Sequence, residues 1–320
     1  MIDYDPYHWT SHLLDIEGSM VREIIGRVAL CTTFGLGVVV LHYMVRTIDI
    51  SPTTHTLVGV ALGMLLVFRT NASYDRFWEG RRMWGSIINE SRNLARGTKT
   101  YVAPAAPDLA EAIALWTSAF PYAAMSALRD VPGIGPVRDG LPPELVREVL
   151  AAKHIPLAVA TKISQNLAEA HRRGVISDIL LTYLDQNPQL LMDYLGSCER
   201  IYRTPLPFVY VVHLRRALFL YCYSLPFALV SLYGWWTVVI VFVLSYTFFG
   251  IEEIGVEIEN PFGLDSNDLP LTKFCQMIER DVRDALGLPQ VKNHGAGDDE
   301  IRPAGPKREE AAAAAGVIPG

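Results

Sequence analysis

Eight histidines (His8, His12, His42, His55, His154, His171, His213, His294) are scattered along the chain, and no HExxH, GxSxG or P-loop pattern is present. Asp75 and Glu79 stand one helical turn apart, the spacing of paired carboxylates, but Arg76, Arg81 and Arg82 beside them favour stable ionisation over acid–base work. Four cysteines, Cys31, Cys198, Cys222 and Cys275, lie far apart and form no CxxC, which argues against a disulfide framework or a zinc site. Cys31 and Cys222 sit in apolar runs, where a thiol behaves as a small hydrophobe. Glu252, Glu253, Glu257, Glu259, Asp265 and Asp268 crowd around the turn Asn260-Pro261-Phe262-Gly263. Oxygen side chains converging at a turn can bind calcium, although EF-hand spacing is absent. Helix capping by Asp268 and surface solvation are the alternative. His42 and His55 flank the outer side of the first two apolar runs and are read as structural. The expectation is that this is not an enzyme, with ions as the remaining chemistry and no certain cofactor.

The elements that must position these groups are set by an uneven charge distribution. Only 19% of the 320 residues are charged, against about 25% in a soluble domain. Val28–Val45 contains no Asp, Glu, Lys or Arg, and neither does Ala217–Ile251. The first is long enough for one membrane crossing, and the second breaks at Tyr233-Gly234 into two, near 214–232 and 235–251, with Pro226 inside the first. A net charge of −6 gives no support to nucleic-acid binding. The polar, acidic start from Met1 to Asp15 lacks the basic region of a signal peptide.

Thr56–Phe68 is only 13 residues long, short for a lipid-facing span. Two readings stay open: an interior or re-entrant helix with no special role, or a helix that avoids lipid because it lines something. Gly59, Ala61 and Gly63 would let other helices approach closely. Arg22 and Arg27 before the first span, the run from Arg69 to Lys99, and Arg215 and Arg216 before the hairpin fit four crossings with both termini and 69–205 in the cytoplasm. From Arg69 to Arg203 the pattern is helical, with segments at 108–129 (bent at Pro121), 143–153, 156–173, 176–186 and 188–203 separated by a Gly/Pro loop at 130–143. No strand alternation and no repeat is found, and the fold class expected is all-α.

Two motifs, FRTNASYDRFWEGRRMWG (Phe68–Gly85) and ENPFGLDSNDLPL (Glu259–Leu271), resemble the bestrophin family in its bacterial branch. Arg69, Asn71, Tyr74, Arg76, Trp78 and Glu79 look like that family's signature after the second span. The resemblance, which covers about residues 10–285, implies an integral membrane helical bundle with four transmembrane helices and a helical cytoplasmic domain. It implies a homopentamer around a central pore, sited in the plasma (inner) membrane and passing small inorganic ions. The division expected is 1–27 N-terminal segment, 28–68 first two membrane helices, 69–205 cytoplasmic domain, 206–251 membrane hairpin, 252–288 acidic segment and 289–320 disordered tail.

Within that resemblance the second span lines a hydrophobic neck, which aligns on Thr53, Leu57 and Ala61. Thr53 and Ala61 depart from the bulky apolar residues common there, and the face Val60–Met64–Phe68 is the alternative register. The family's calcium clasp maps onto Glu257, Asn260, Asp265 and Asp268, with Ser266, Asn267 and the apolar Leu264 interrupting its acidic run. An apolar ring can gate by dewetting, and charged rings in the vestibules set ion sign. The basic Arg69–Lys99 helix argues for anions and the acidic Glu252–Asp268 segment for cations; the family default is the anion. A coupled transporter would need inverted repeats and intramembrane charges, and a membrane-anchored scaffold would need no pore.

Overall fold

The structure is a computed structural model that describes residues 18–45 and 51–290. The described residues are helical, with no strand among them. The elements are α1 (Val21–Val45), α2 (Pro52–Tyr101), α3 (Pro107–Leu128), a short 3₁₀ turn (Gly135–Gly140), α4 (Pro143–Leu150), α5 (Ile155–Arg172), α6 (Asp178–Arg203), α7 (Phe208–Tyr233), α8 (Trp236–Glu257) and α9 (Leu271–Leu286). Four of them, α1, α2, α7 and α8, are long and apolar enough to cross a membrane. The ambiguous Thr56–Phe68 stretch is therefore part of a 50-residue helix that opens on Pro52, a residue preorganised for a first helical position.

The described residues divide into two units. The first holds the chain up to Met83 together with Ser197–Leu269. Its core is built by Ile24, Val28 and Cys31 of α1, Leu62 and Leu66 of α2, Leu214, Leu218, Cys222 and Leu225 of α7, and Val241 and Phe249 of α8. The α7–α8 hairpin turns at Gly234, whose φ of +51° a side-chain-bearing residue adopts only with strain. Tyr43 stacks on Trp235 with ring centroids 5.6 Å apart, and Trp235 and Trp236 are exposed at the same end. Aromatic side chains of this kind suit a membrane–water interface.

Pro226 lies inside α7 and cannot supply the N–H that would bond the carbonyl of Cys222. The thiol of Cys31 donates to that carbonyl at 3.6 Å instead. A neighbouring helix thus satisfies the group the proline frees, which is how such breaks are tolerated in apolar surroundings. Cys31 is a specific partner as well as a small hydrophobe.

The second unit holds Trp84–Gly196 and the chain from Pro270 onward. Its centre is α3, buried almost all round from Ile113 to Ser126 and packed by α5 and α9. A buried polar network ties α3 to α9: Tyr122 donates to Glu279 Oε2 at 2.9 Å and Arg283 Nε donates to Glu279 Oε1 at 3.0 Å. Burial and the adjacent Glu279 carboxylate push the Tyr122 phenol well above its ordinary range.

Helix α6 departs from the sequence expectation. The two segments 176–186 and 188–203 are one helix, with Pro188 inside it. The proline leaves the Leu184 carbonyl without its main-chain donor, and the Asn187 side-chain amide fills the place at 2.9 Å. The residue before the proline therefore carries the helix through it. The expected tail beyond Gln290 lies outside the described residues.

Candidate functional site: the outward face of α2 and the corner at its foot

Helix α2 is held on one side only. His55 stacks on Tyr221 with centroids 5.2 Å apart and its Nε2 meets Ser224 Oγ at 3.1 Å. Tyr221 also lies against Gly59, where a Cβ would come within 2.6 Å of its hydroxyl. Tyr210 donates to the Leu65 carbonyl at 2.9 Å. Leu62, Leu66, Arg69 and Ser73 continue this buried row. All three α7 contacts fall on the same side, so α7 fixes the rotation of α2 about its axis.

At about 100° per residue, the arc opposite the buried row is centred on Thr53, Leu57 and Met64, with Val60, Ala61 and Phe68 on its shoulders. All six are exposed. Leu57 is 69% exposed, Val60 66%, Met64 59% and Phe68 59%, values that a monomer in water would not keep. The most apolar window of α2 is only 22% buried, against 33–39% for the other three candidate spans. Both neck registers, Thr53–Leu57–Ala61 and Val60–Met64–Phe68, thus lie on the free arc. Asn71 and Asp75 extend its centre toward the other end and are exposed too.

The signature that follows separates into an anchored and an exposed part. Tyr74 and Trp78 are exposed. Arg69, 1% exposed, reaches Glu259 Oε2 at 3.4 Å. Arg76 donates through Nε to the Glu259 carbonyl at 3.0 Å and through Nη2 and Nη1 to the carbonyls of Ile201 and Thr204 at 2.6 and 2.5 Å. One guanidinium therefore closes the C-terminal end of α6 and the chain leaving α8, where unpaired carbonyls and the helix dipole favour a cation. Glu79 pairs with Arg200 at 2.6 Å.

Glu259 is the hub of this corner, and sequence reading named it only as one acid in a crowd. Its Oε1 accepts the Leu206 N–H at 3.0 Å, its Oε2 faces Arg69 and its carbonyl faces Arg76. Its position next to Asn260-Pro261 was the available signal. The other acids are similarly engaged: Glu252, 1% exposed, faces Arg215 at 2.9 Å and Arg27 at 3.4 Å, and Glu253 faces Arg27 at 2.6 Å. Three of the six acids that argued for cations are thus matched by arginines.

Asn260, Asp265 and Asp268 share one loop. Asp268 is buried, and its Oδ2 accepts the Asp265 N–H at 2.8 Å. Asn260 Oδ1 accepts from the Phe262 N–H at 3.5 Å, and the Leu269 N–H returns to the Pro261 carbonyl at 2.9 Å. Asn267 donates to the Gly18 carbonyl at 3.0 Å. Glu257 is the last residue of α8. Among the described residues no three His, Cys, Asp or Glu side chains are grouped so as to hold a metal ion. The hydrogen bonds from Asp265 N–H to Asp268 Oδ2 and from Leu269 N–H to the Pro261 carbonyl help to close the loop.

A family model described as Bacterial/Fungal Bestrophin protein matches residues 1–284. A voltage-dependent anion channel-forming protein of Nostoc is 39% identical over 295 residues, covering 91% of this chain and 96% of the relative. The voltage-dependent anion channel-forming protein YneE of Escherichia coli K12 is 34% identical over 286 residues, covering 88% and 93%. Among solved structures, a bacterial bestrophin homolog from Klebsiella pneumoniae superposes with a TM-score of 0.79 at 32% identity, covering 83% of this chain and 99% of that one.

Proposed function

The chain belongs to the bacterial and fungal branch of the bestrophin family, and we propose that it is the subunit of an anion channel whose permeation path runs along the outward arc of α2. The observation that carries this reading is the one-sided anchoring of α2. A helix clamped through His55, Gly59 and Leu65 and left with Leu57, Val60 and Met64 uncovered needs a further surface to face. Copies arranged around an axis supply one, and cyclic symmetry places the pore on that axis.

In this reading five copies assemble, and the neck is formed by Thr53, Leu57 and Met64, with Ala61, Val60 and Phe68 at its flanks. The apolar ring gates by dewetting. Below it Asn71 and Asp75 meet the ion in a wider vestibule. The pairing of Glu252, Glu253 and Glu259 with arginines removes much of the acidic field that would favour cations, which supports the anion. The protein sits in the inner membrane with both termini and residues 69–205 in the cytoplasm, following the distribution of Arg and Lys. The corner of Arg69, Arg76, Glu79 and Glu259, with the loop of Asn260, Asp265 and Asp268, braces the exit of the pore helix. Calcium titration of the efflux tests the clasp expected at Glu257, Asn260, Asp265 and Asp268.

The test is chloride efflux from liposomes carrying the purified protein, with oligomer mass measured in nanodiscs. Leu57→Ala is expected to raise efflux several-fold with a mass of five copies. An absence of efflux, or a monomeric or dimeric mass, contradicts the reading.

A further inference from the structure

Arg27 of α1 and Arg215 of α7 meet on one acid. Arg27 reaches Glu252 Oε2 at 3.4 Å and Glu253 Oε2 at 2.6 Å, and Arg215 donates through Nε to Glu252 Oε1 at 2.9 Å. The two arginines thus stand at one level, near one end of α1 and α7. Seven residues on from Arg27, about 10 Å along the helix, Phe34 packs on Tyr223 with ring centroids 5.3 Å apart. Phe219 lies 4.3 Å from Tyr223, and Phe227 lies 6.1 Å from Phe34.

Helix rotation puts these groups in one strip. At about 100° per residue, Tyr223 and Phe227 each lie within about 20° of Arg216 on α7, and Phe34 lies within about 20° of Arg27 on α1. The strip is about a third of a turn away from the face of α7 whose Tyr210, Tyr221 and Ser224 hold α2, so it is separate from the free arc of α2. Phe219 is 54% exposed and Phe34 40%. An aromatic groove with a basic foot is left open along α1 and α7.

The charge at the foot indicates the occupant. Arg27 and Arg215 are matched by Glu252 and Glu253. Glu23, one turn before Arg27, has Arg22 beside it in the chain. Arg216 is exposed and meets no carboxylate among the described residues. Arg215 is taken by Glu252 through Nε, which leaves its two terminal nitrogens for a further acceptor. A guanidinium fork held in this way matches phosphate oxygens. Free phosphate would use the foot and leave the aromatic wall bare, and a plain hydrocarbon would do the reverse. A phospholipid uses both, and one without a headgroup ammonium also meets the unmatched positive charge.

We propose that the groove between α1 and α7 holds one anionic phospholipid, its phosphate on Arg215 and Arg216 and an acyl chain along Phe219, Tyr223 and Phe34. The lipid would brace α1 against α7 where the spans leave the membrane. The inference rests on α1 and α7 crossing a membrane and not on conduction.

The experiment is native mass spectrometry of the full chain released from detergent, paired with melting, using phosphatidylglycerol and phosphatidylcholine of identical acyl chains. The expected result is one phosphatidylglycerol retained per subunit under activation that strips phosphatidylcholine, and a saturable rise in Tm with the first lipid that the second does not match. Arg216→Gln, an exposed change that breaks no ion pair, leaves the lipid-free Tm in place and weakens phosphatidylglycerol retention several-fold. Phe219→Ala weakens it as well, through the wall rather than the foot. Equal retention of the two lipids overturns the assignment, as does a phosphatidylglycerol effect undiminished in Arg216→Gln. Glycerol 3-phosphate, which has the phosphate and no acyl chain, should not raise Tm; an equal rise overturns the groove. A protein that holds phosphatidylglycerol but carries no current keeps this site and loses only the channel reading, and conduction without lipid preference does the reverse.

Discussion

Gly80 lies against the ring of Phe262 so closely that a Cβ on it would come within 3.0 Å of two ring carbons and 3.1 Å of Pro261 Cγ. The two residues come from the two motifs that carry the family resemblance, and Phe262 is fully buried. Gly80→Ala is expected to destabilise the protein by about 1–3 kcal/mol through overpacking. Phe262→Ala should cost about 3–5 kcal/mol through the cavity it leaves. Thermal melting in detergent checks both, and a Gly80→Ala protein as stable as wild type would show that this contact is not tight.

Local features were readable because their physical cause is local. An uncharged run of 18 residues is enough to mark α1, and the break at Tyr233-Gly234 coincides with the end of α7 because the turn needs the glycine's positive φ. Pro188 misled because its effect was cancelled by Asn187, one residue away but acting through a side chain. The exposed arc of α2 was not readable, since both arcs carry apolar residues and only Tyr210, Tyr221 and Ser224 of α7 decide which is anchored. Glu259 became a hub only when residues nearly 200 positions apart met in space.

Cys31 and Pro226 form one functional pair, as do Asn187 and Pro188. Cys31→Ala or Asn187→Ala should each cost about 1 kcal/mol by leaving a carbonyl unpaired. Replacing the matching proline by alanine restores the main-chain N–H, so each double variant should recover most of the loss. Melting temperatures of the four proteins in each cycle measure the coupling, and additive losses would exclude it.

Arg173 clamps α3 to α5 by donating to Asp108 at 2.7 Å and to Glu169 at 2.9 Å. The Arg173 hydrogen bond holds the Asp108 carboxyl below its ordinary range; Arg173 and then Arg172 do the same for Glu169. Both folded pKa values are depressed, so the clamp is fully present above the unfolded carboxylate values near pH ~4 and is lost as pH falls through the folded ones. Wild type should therefore lose stability below about pH 4 by a margin that Arg173→Ala lacks. Asp108 is exposed and Glu169 is half-buried, so the margin should shrink in high salt; equal acid curves for the two proteins would contradict the clamp.

The apolar stretches Val28–Val45, Thr56–Phe68 and Ala217–Ile251 hold no Asp, Glu, Lys or Arg. A charge crossing the whole membrane field gains only about 2.3 kcal/mol per 100 mV, and steep gating needs several of them. Current through this protein in symmetric salt should accordingly be close to linear in voltage. A sharp voltage threshold in bilayer recordings would place gating charge on a segment outside these three.

Whether the outward arc of α2 lines an anion pore is decided by the reversal potential of the purified protein in planar bilayers under a potassium chloride gradient. An anion pore gives ohmic current reversing near the chloride equilibrium potential, with Leu57→Ala raising conductance and leaving the reversal in place. Reversal near the potassium equilibrium potential, or no current in any gradient, would contradict it.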